Sequence, residues 1–127
     1  MTVYVETDFL LALAKDSDWL QSSAESILEE YEVETSAFSY LELLLARERY
    51  EFDSVTLVAN LLELVGVRDD RERQIVLKAV TYYDDGMTPF DAFHAATAET
   101  RSLAVASSDQ DDEDTDVQRV ALEPDDR

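Results

Sequence analysis

Short β-branched and apolar segments alternate with helical ones along the whole chain, and that alternation leaves few folds open. Residues 2–5, Thr-Val-Tyr-Val, read as a strand, and so do 33–36, 65–67, 103–107 and 117–122. Helical periodicity runs through residues 9–15, 19–30, 39–50, 53–64, 70–83 and 89–100. In residues 19–30 the apolar positions Leu20, Ala24, Ile27, Leu28 and Tyr31 fall on one face. Asp8 is placed to cap the first helix, and Gly86 to end the helix over 70–83. Pro89, after Thr88, stands at the first position of the last helix, where proline is tolerated. Strands separated by helices form a parallel sheet covered on both faces. The expectation is one three-layer α/β/α domain over residues 1–122, with residues 123–127 a frayed tail.

Composition agrees with one domain and adds an environment. The chain has 127 residues, 46% of them hydrophobic, enough for a real core. No apolar run approaches the ~20 residues of a membrane span, and no basic-then-apolar signal region opens the chain. A cytoplasmic protein without a membrane partner is expected. There are no cysteines, which excludes disulfides and thiolate metal sites. Acids number 30 against 10 bases, for a net charge of -20, and Lys15 and Lys78 are the only lysines. A domain of this size repels itself in dilute buffer, whereas at ~1 M salt the Debye length is only about 3 Å. The composition is read as that of a salt-accumulating, haloarchaeal cell. The alternative is an ordinary acidic protein that binds basic partners.

Four acids sit where the apolar segments end. Glu6 follows the first strand, Glu42 opens the helix over 39–50, Asp91 opens the helix over 89–100, and Asp109 follows the strand over 103–107. In open α/β sheets, ligands bind outside the carboxyl ends of strands. Glu6 and Asp109 lie at such ends, and helices that follow or precede a strand bring Glu42 and Asp91 to the same edge. Carboxylates that converge repel one another, and a divalent cation relieves the repulsion. This pattern points to metal-dependent phosphoryl transfer. Each acid also has a local explanation. Ser39-Tyr40-Leu41-Glu42 has the form of a capping box, and Thr88-Pro89-Phe90-Asp91 nearly the same form. Asp109 belongs to an acidic run over 109–116, which as a solvated loop would need no site.

The order and spacing of these segments resemble the PIN domain, a family of small metal-dependent ribonucleases that includes VapC-type toxins. The first strand reads Val3-Tyr4-Val5-Glu6-Thr7-Asp8, the mid-chain helix Ser39-Tyr40-Leu41-Glu42-Leu43, and the late helix Asp91-Ala92-Phe93-His94-Ala95-Ala96. The last strand ends in Ser107-Ser108-Asp109-Gln110-Asp111. The late helix is the most specific match, and the resemblance covers nearly the whole chain. It implies a sheet ordered 3-2-1-4-5 and hydrolysis of RNA phosphodiesters, leaving 5′-phosphate and 3′-hydroxyl ends. It implies Mg²⁺ or Mn²⁺ held by Glu6, Glu42, Asp91 and Asp109, with Thr7, Asp8 and Asp111 in supporting positions. It also implies a homodimer, and an antitoxin partner if the chain is one half of a type II toxin-antitoxin pair. Glu6 departs from the family pattern, which has Asp, and its extra methylene matters to an ion as strict about geometry as Mg²⁺.

Other readings remain open at this level. A PIN fold that has lost catalysis would be a binding or scaffold module. A phosphoacceptor receiver domain would need a late lysine, and none follows Lys78; a haloacid-dehalogenase-type phosphatase would need Asp at position 6. His94, one turn after Asp91, is either a metal ligand beside it or a partly buried helix residue between Phe90 and its neighbours. Arg47 and Arg49 either hold RNA phosphates or pair with surface acids such as Glu48 and Glu51. The helix over 39–50 is apolar nearly all round at Leu41, Leu43, Leu44, Leu45 and Ala46, and a homodimer through it is expected.

Overall fold

A computed structural model describes residues 1–15, 19–46, 53–107 and 118–122. The elements run β1 (Thr2–Tyr4), α1 (Thr7–Ala14), α2 (Gln21–Glu30), β2 (Glu32–Thr35), α3 (Ala37–Leu45), α4 (Ser54–Leu64), β3 (Gly66–Val67), α5 (Asp70–Asp84), α6 (Pro89–Thr100), β4 (Val105–Ser107) and β5 (Arg119–Ala121). All strand pairing among the described residues is parallel. β2 is the centre of one sheet, flanked by β1 in the register Val3↔Val33 and by β3 in the register Thr35↔Val67. β4 pairs with β5 in the register Ala106↔Val120. These ladders are the 3-2-1 and 4-5 halves of the expected order. Among the described residues no ladder joins β1 to β4.

The strands are two to four residues long, so the helices carry most of the packing. The main core gathers Val5, Leu10, Tyr40, Leu43, Leu44, Val58, Leu61, Leu62, Val65, Val76 and Val80. Tyr40 is fully buried and donates its hydroxyl proton to the Val65 carbonyl at 2.8 Å, tying α3 to the end of α4. Burial pushes that phenol well above its ordinary pKa. A second cluster joins α5 and α6 through Ile75, Ala79, Ala92 and Ala96, where the alanines let the two helices approach closely. Lys78 Nζ donates to Glu99 Oε1 at 2.9 Å and Tyr82 donates to Glu99 Oε2, clamping the same pair of helices.

The helix ends explain the boundaries. Asp53 and Asp69 cap α4 and α5 with their carboxylates, accepting from Thr56 N and Arg71 N. At the end of α5, Gly86 N–H bonds Tyr83 O and Met87 N–H bonds Tyr82 O, the Schellman pattern, with Gly86 at φ 117° as that pattern requires. The end of α6 repeats it with Ser102 N–H to Glu99 O and Leu103 N–H to Ala98 O, but here a serine takes the left-handed position at φ 57°.

Three expectations are corrected. Asp8 is not the cap of α1: Glu6 holds that position, without a side-chain cap bond, and Asp8 lies in the first turn. Ser39 does not open α3: the helix starts at Ala37 with Ser36 as its cap residue, so Glu42 is too deep in the helix to close a capping box. The physical reason is competition between hydroxyls. Ser36 Oγ is engaged by Tyr4 Oη at 2.8 Å and Ser39 Oγ by Thr35 Oγ1 at 2.8 Å, while the Ala37 amide is satisfied from outside the helix by Glu72 Oε1 at 3.1 Å. Finally, α3 does not present leucines on every side. Leu43 and Leu44 are buried within the chain, where α1, α5 and α6 pack against this helix, and of its apolar residues only Phe38 and Leu45 are markedly exposed.

Candidate metal and nucleic-acid site

The sheet edge that collects the first two acids is built from the ends of β1 and β2. Val5 continues the ladder by one bond, its N–H reaching Glu34 O at 2.9 Å, and its carbonyl accepts from the buried Thr35 hydroxyl at 2.7 Å. The chain then turns directly into α1 at Glu6 and Thr7, while β2 turns into α3 at Ser36. Two helix N-termini therefore open side by side at this edge, and each carries the positive end of a helix dipole.

Thr7 and Glu42 meet there. Thr7 Oγ1 donates to Glu42 Oε1 at 2.8 Å and lies 3.5 Å from the Ser39 carbonyl. A hydroxyl has one proton, so the shorter, charge-assisted bond to the carboxylate is the one made. It fixes one oxygen of Glu42 and leaves Oε2 without a protein donor among the described residues. Glu6 is the residue next to Thr7 and is exposed, as is Glu42. Neither makes an ion pair among the described residues, in which Arg73–Glu63 and Lys78–Glu99 are the recorded pairs.

Asp91 is held by α6. Thr88 caps the helix by accepting from the Asp91 amide at 3.3 Å, Pro89 follows at the first position, and Asp91 occupies the first turn, half-buried. It lies at one end of a cleft of about 390 Å³ that His94, Thr97 and Arg101 continue along α6, with Leu103 to Ala106 as the opposite wall. His94 is exposed in this cleft, which overturns the second of its two sequence readings, a partly buried helix residue. Asp8, two residues after Glu6, lines a small groove between α1 and α2 with Phe9, Leu20 and Ile27. Asp109, Asp111, the acidic run over 109–116, Arg47, Arg49 and residues 123–127 lie outside the described residues.

The structure thus joins Thr7 and Glu42 beside Glu6, and places Asp91 at the head of its own cleft. Among the described residues no three His, Asp or Glu side chains are gathered closely enough to hold a metal ion. The donor set nevertheless suits a hard dication: it is all carboxylate oxygen, water-exposed at Glu6 and Glu42, and Mg²⁺ keeps several waters while taking one or two protein carboxylates and substrate phosphate oxygens. Spacing did not reveal the hydroxyl set formed by Tyr4, Thr35, Ser36 and Ser39 behind the carboxylates. Its available signal was the Thr35-Ser36 pair at the end of β2, on the same edge as Thr7. Hydrogen bonds to Ser36 and then Ser39 hold the Tyr4 phenol below its ordinary pKa.

Comparison with known proteins bears on this geometry. Residues 3–118 match the family profile described as PIN domain. Neither the curated proteins nor the solved structures returned a match. PIN domains are generally nucleases that use divalent metals. No helix among the described residues is long and apolar enough to cross a membrane. The parallel strands at whose ends Thr7, next to Glu6, meets Glu42, and the late helix opening on Asp91, lie within the matched span, and the chain belongs to the PIN domain family.

Proposed function

We propose that this chain is a metal-dependent endoribonuclease, the toxin of a type II toxin-antitoxin pair. The observation that carries the reading is the Thr7–Glu42 hydrogen bond beside Glu6, which orients a carboxylate at the carboxyl edge of a parallel sheet in a PIN domain. Glu6, Glu42, Asp91 and Asp109 would hold Mg²⁺ or Mn²⁺. Such an ion, when bound, stabilises charge on a phosphate and lowers the pKa of water. Thr7 would set the orientation of Glu42 through one of its oxygens and leave the second for a metal. Asp91 is fixed by its place in the first turn of a capped helix. The two helix N-termini favour an anionic phosphate at this edge. The partners are an RNA substrate, a second copy of the chain through the exposed side of α3 at Phe38 and Leu45, and an antitoxin protein. The setting is the cytoplasm of a haloarchaeal, salt-accumulating cell.

A second reading has its own observation. Glu6 is longer than the family's Asp, and the described residues gather no three acids, so a catalytically weakened PIN fold acting as a scaffold is the alternative. One experiment separates the two. Single-stranded RNA is incubated with the protein in high potassium chloride, with MnCl₂ or with EDTA, using the wild type, Glu6→Asp and Asp91→Asn. A nuclease cleaves with Mn²⁺, stops with EDTA and with Asp91→Asn, and leaves 5′-phosphate ends. Cleavage by Glu6→Asp but not by the wild type would establish the weakened reading. No cleavage by either would reject the nuclease.

A further inference from the structure

The cleft beside Asp91 is lined by one acid, one histidine and one arginine. In a chain of net charge -20, its floor is one face of α6 carrying His94, Thr97 and Arg101, and its far wall is the apolar approach to β4. Arg101 is exposed and makes no ion pair among the described residues, although acids outnumber bases 30 to 10 in the chain. A lone arginine in such an excess of acid gains little by packing. It gains much from two parallel hydrogen bonds to an oxyanion, because its planar fork matches a phosphate. Thr97 does not compete for such a ligand, since its hydroxyl donates to the Phe93 carbonyl at 2.7 Å. The residues of the face fall at i, i+3, i+6 and i+10 from Asp91, so Arg101 stands about 15 Å along the helix axis from the acid. The wall opposite offers Leu103 and Ala104, which are exposed and apolar and suit the face of an unpaired base.

We propose that this cleft is the track for one flank of a single-stranded RNA, with Arg101 binding a backbone phosphate away from the scissile one and His94 lying between it and Asp91. The proposal rests on the nuclease reading above, and adds to it where the strand runs and what holds it. The track is narrow and carries few cations, so the chain grips RNA at a point instead of through a broad basic patch. That suits a protein working in salt strong enough to screen diffuse attraction while leaving a close, directional contact in place.

The test is fluorescence anisotropy with a labelled single-stranded RNA and EDTA present, so that binding is read without cleavage. Potassium chloride is varied over the range in which circular dichroism finds the fold intact. Arg101→Ala should weaken binding about tenfold, the usual effect of one charge-assisted contact. It should also reduce the slope of log K against log salt by about 0.7, the value for one phosphate on a single strand. Arg71→Ala removes the same charge from the exposed first turn of α5, outside the cleft, and should change neither quantity. In the cleavage assay with Mn²⁺, Arg101→Ala should raise KM with kcat within about twofold, which a misfolded protein would not do. Equal affinity and slope for Arg101→Ala and wild type, with cleavage intact, would overturn the track and leave the nuclease standing. Equal losses in Arg71→Ala and Arg101→Ala would overturn it too, since the effect would then be net charge. No RNA binding by the wild type would overturn the track, and the nuclease with it if cleavage with Mn²⁺ is absent too.

Discussion

Tyr40 brings a polar group into the core and satisfies it there. Its hydroxyl bonds the Val65 carbonyl where α4 ends, so Tyr40→Phe would leave that carbonyl buried and unpaired. Denaturant unfolding should find Tyr40→Phe less stable by about 1–2 kcal/mol with an unchanged m-value; equal stability would mean that the bond contributes nothing net. At this scale the sequence was most ambiguous where hydroxyls were dense. Between Thr35 and Tyr40 every polar side chain has several possible partners, and local form favoured a capping box at Ser39–Glu42. Contacts from β1 and the start of α1 decide otherwise, because Tyr4 takes Ser36 and Thr7 takes Glu42, more than thirty residues away in the chain. Local spacing does not contain such contacts. Thr7 enters the sequence reading only through the family resemblance, and its bond to Glu42 is a product of the fold.

The pair α5 and α6 is held by apolar packing and by one charged clamp. Glu99 accepts from Tyr82 and from Lys78, and these bonds, the tyrosine's first, hold its carboxyl below the ordinary range. A depressed folded-state pKa contributes stability that is complete above the unfolded value and is lost as pH falls through the folded one. Glu99→Gln should therefore cost about 1 kcal/mol at neutral pH, the gap to wild type closing on acidification below pH ~4. Thermal melts of the two proteins across that range check this, and a gap independent of pH would contradict it. Elements themselves were largely legible. Asp53, Asp69, Gly86 and the Thr88-Pro89 start are strong punctuation, and each marks a real boundary. The serine that ends α6 is weak punctuation, because Ser102 adopts a conformation usually given to glycine.

The whole molecule must fold against its own charge. At net charge -20, circular dichroism should find the fold weakened or lost in dilute buffer and restored toward molar potassium chloride; equal stability in both would contradict the halophilic reading. Light scattering in high salt should give a dimer that Leu45→Arg dissociates, because Leu45 is 47% exposed on α3. Leu44 is unsuitable for that test, being 2% exposed and part of the core. The α/β class and its parallel strands were readable from alternation alone, while the fourth acid falls at Asp109, beyond the described residues. In the proposed function the acids act together on divalent metal. Calorimetric titration of Mn²⁺ into the wild type, Thr7→Val and Asp91→Asn, in molar potassium chloride, tests it most directly. The account predicts binding by the wild type, about tenfold weaker binding by Thr7→Val and little or none by Asp91→Asn; identical isotherms for all three proteins would contradict it.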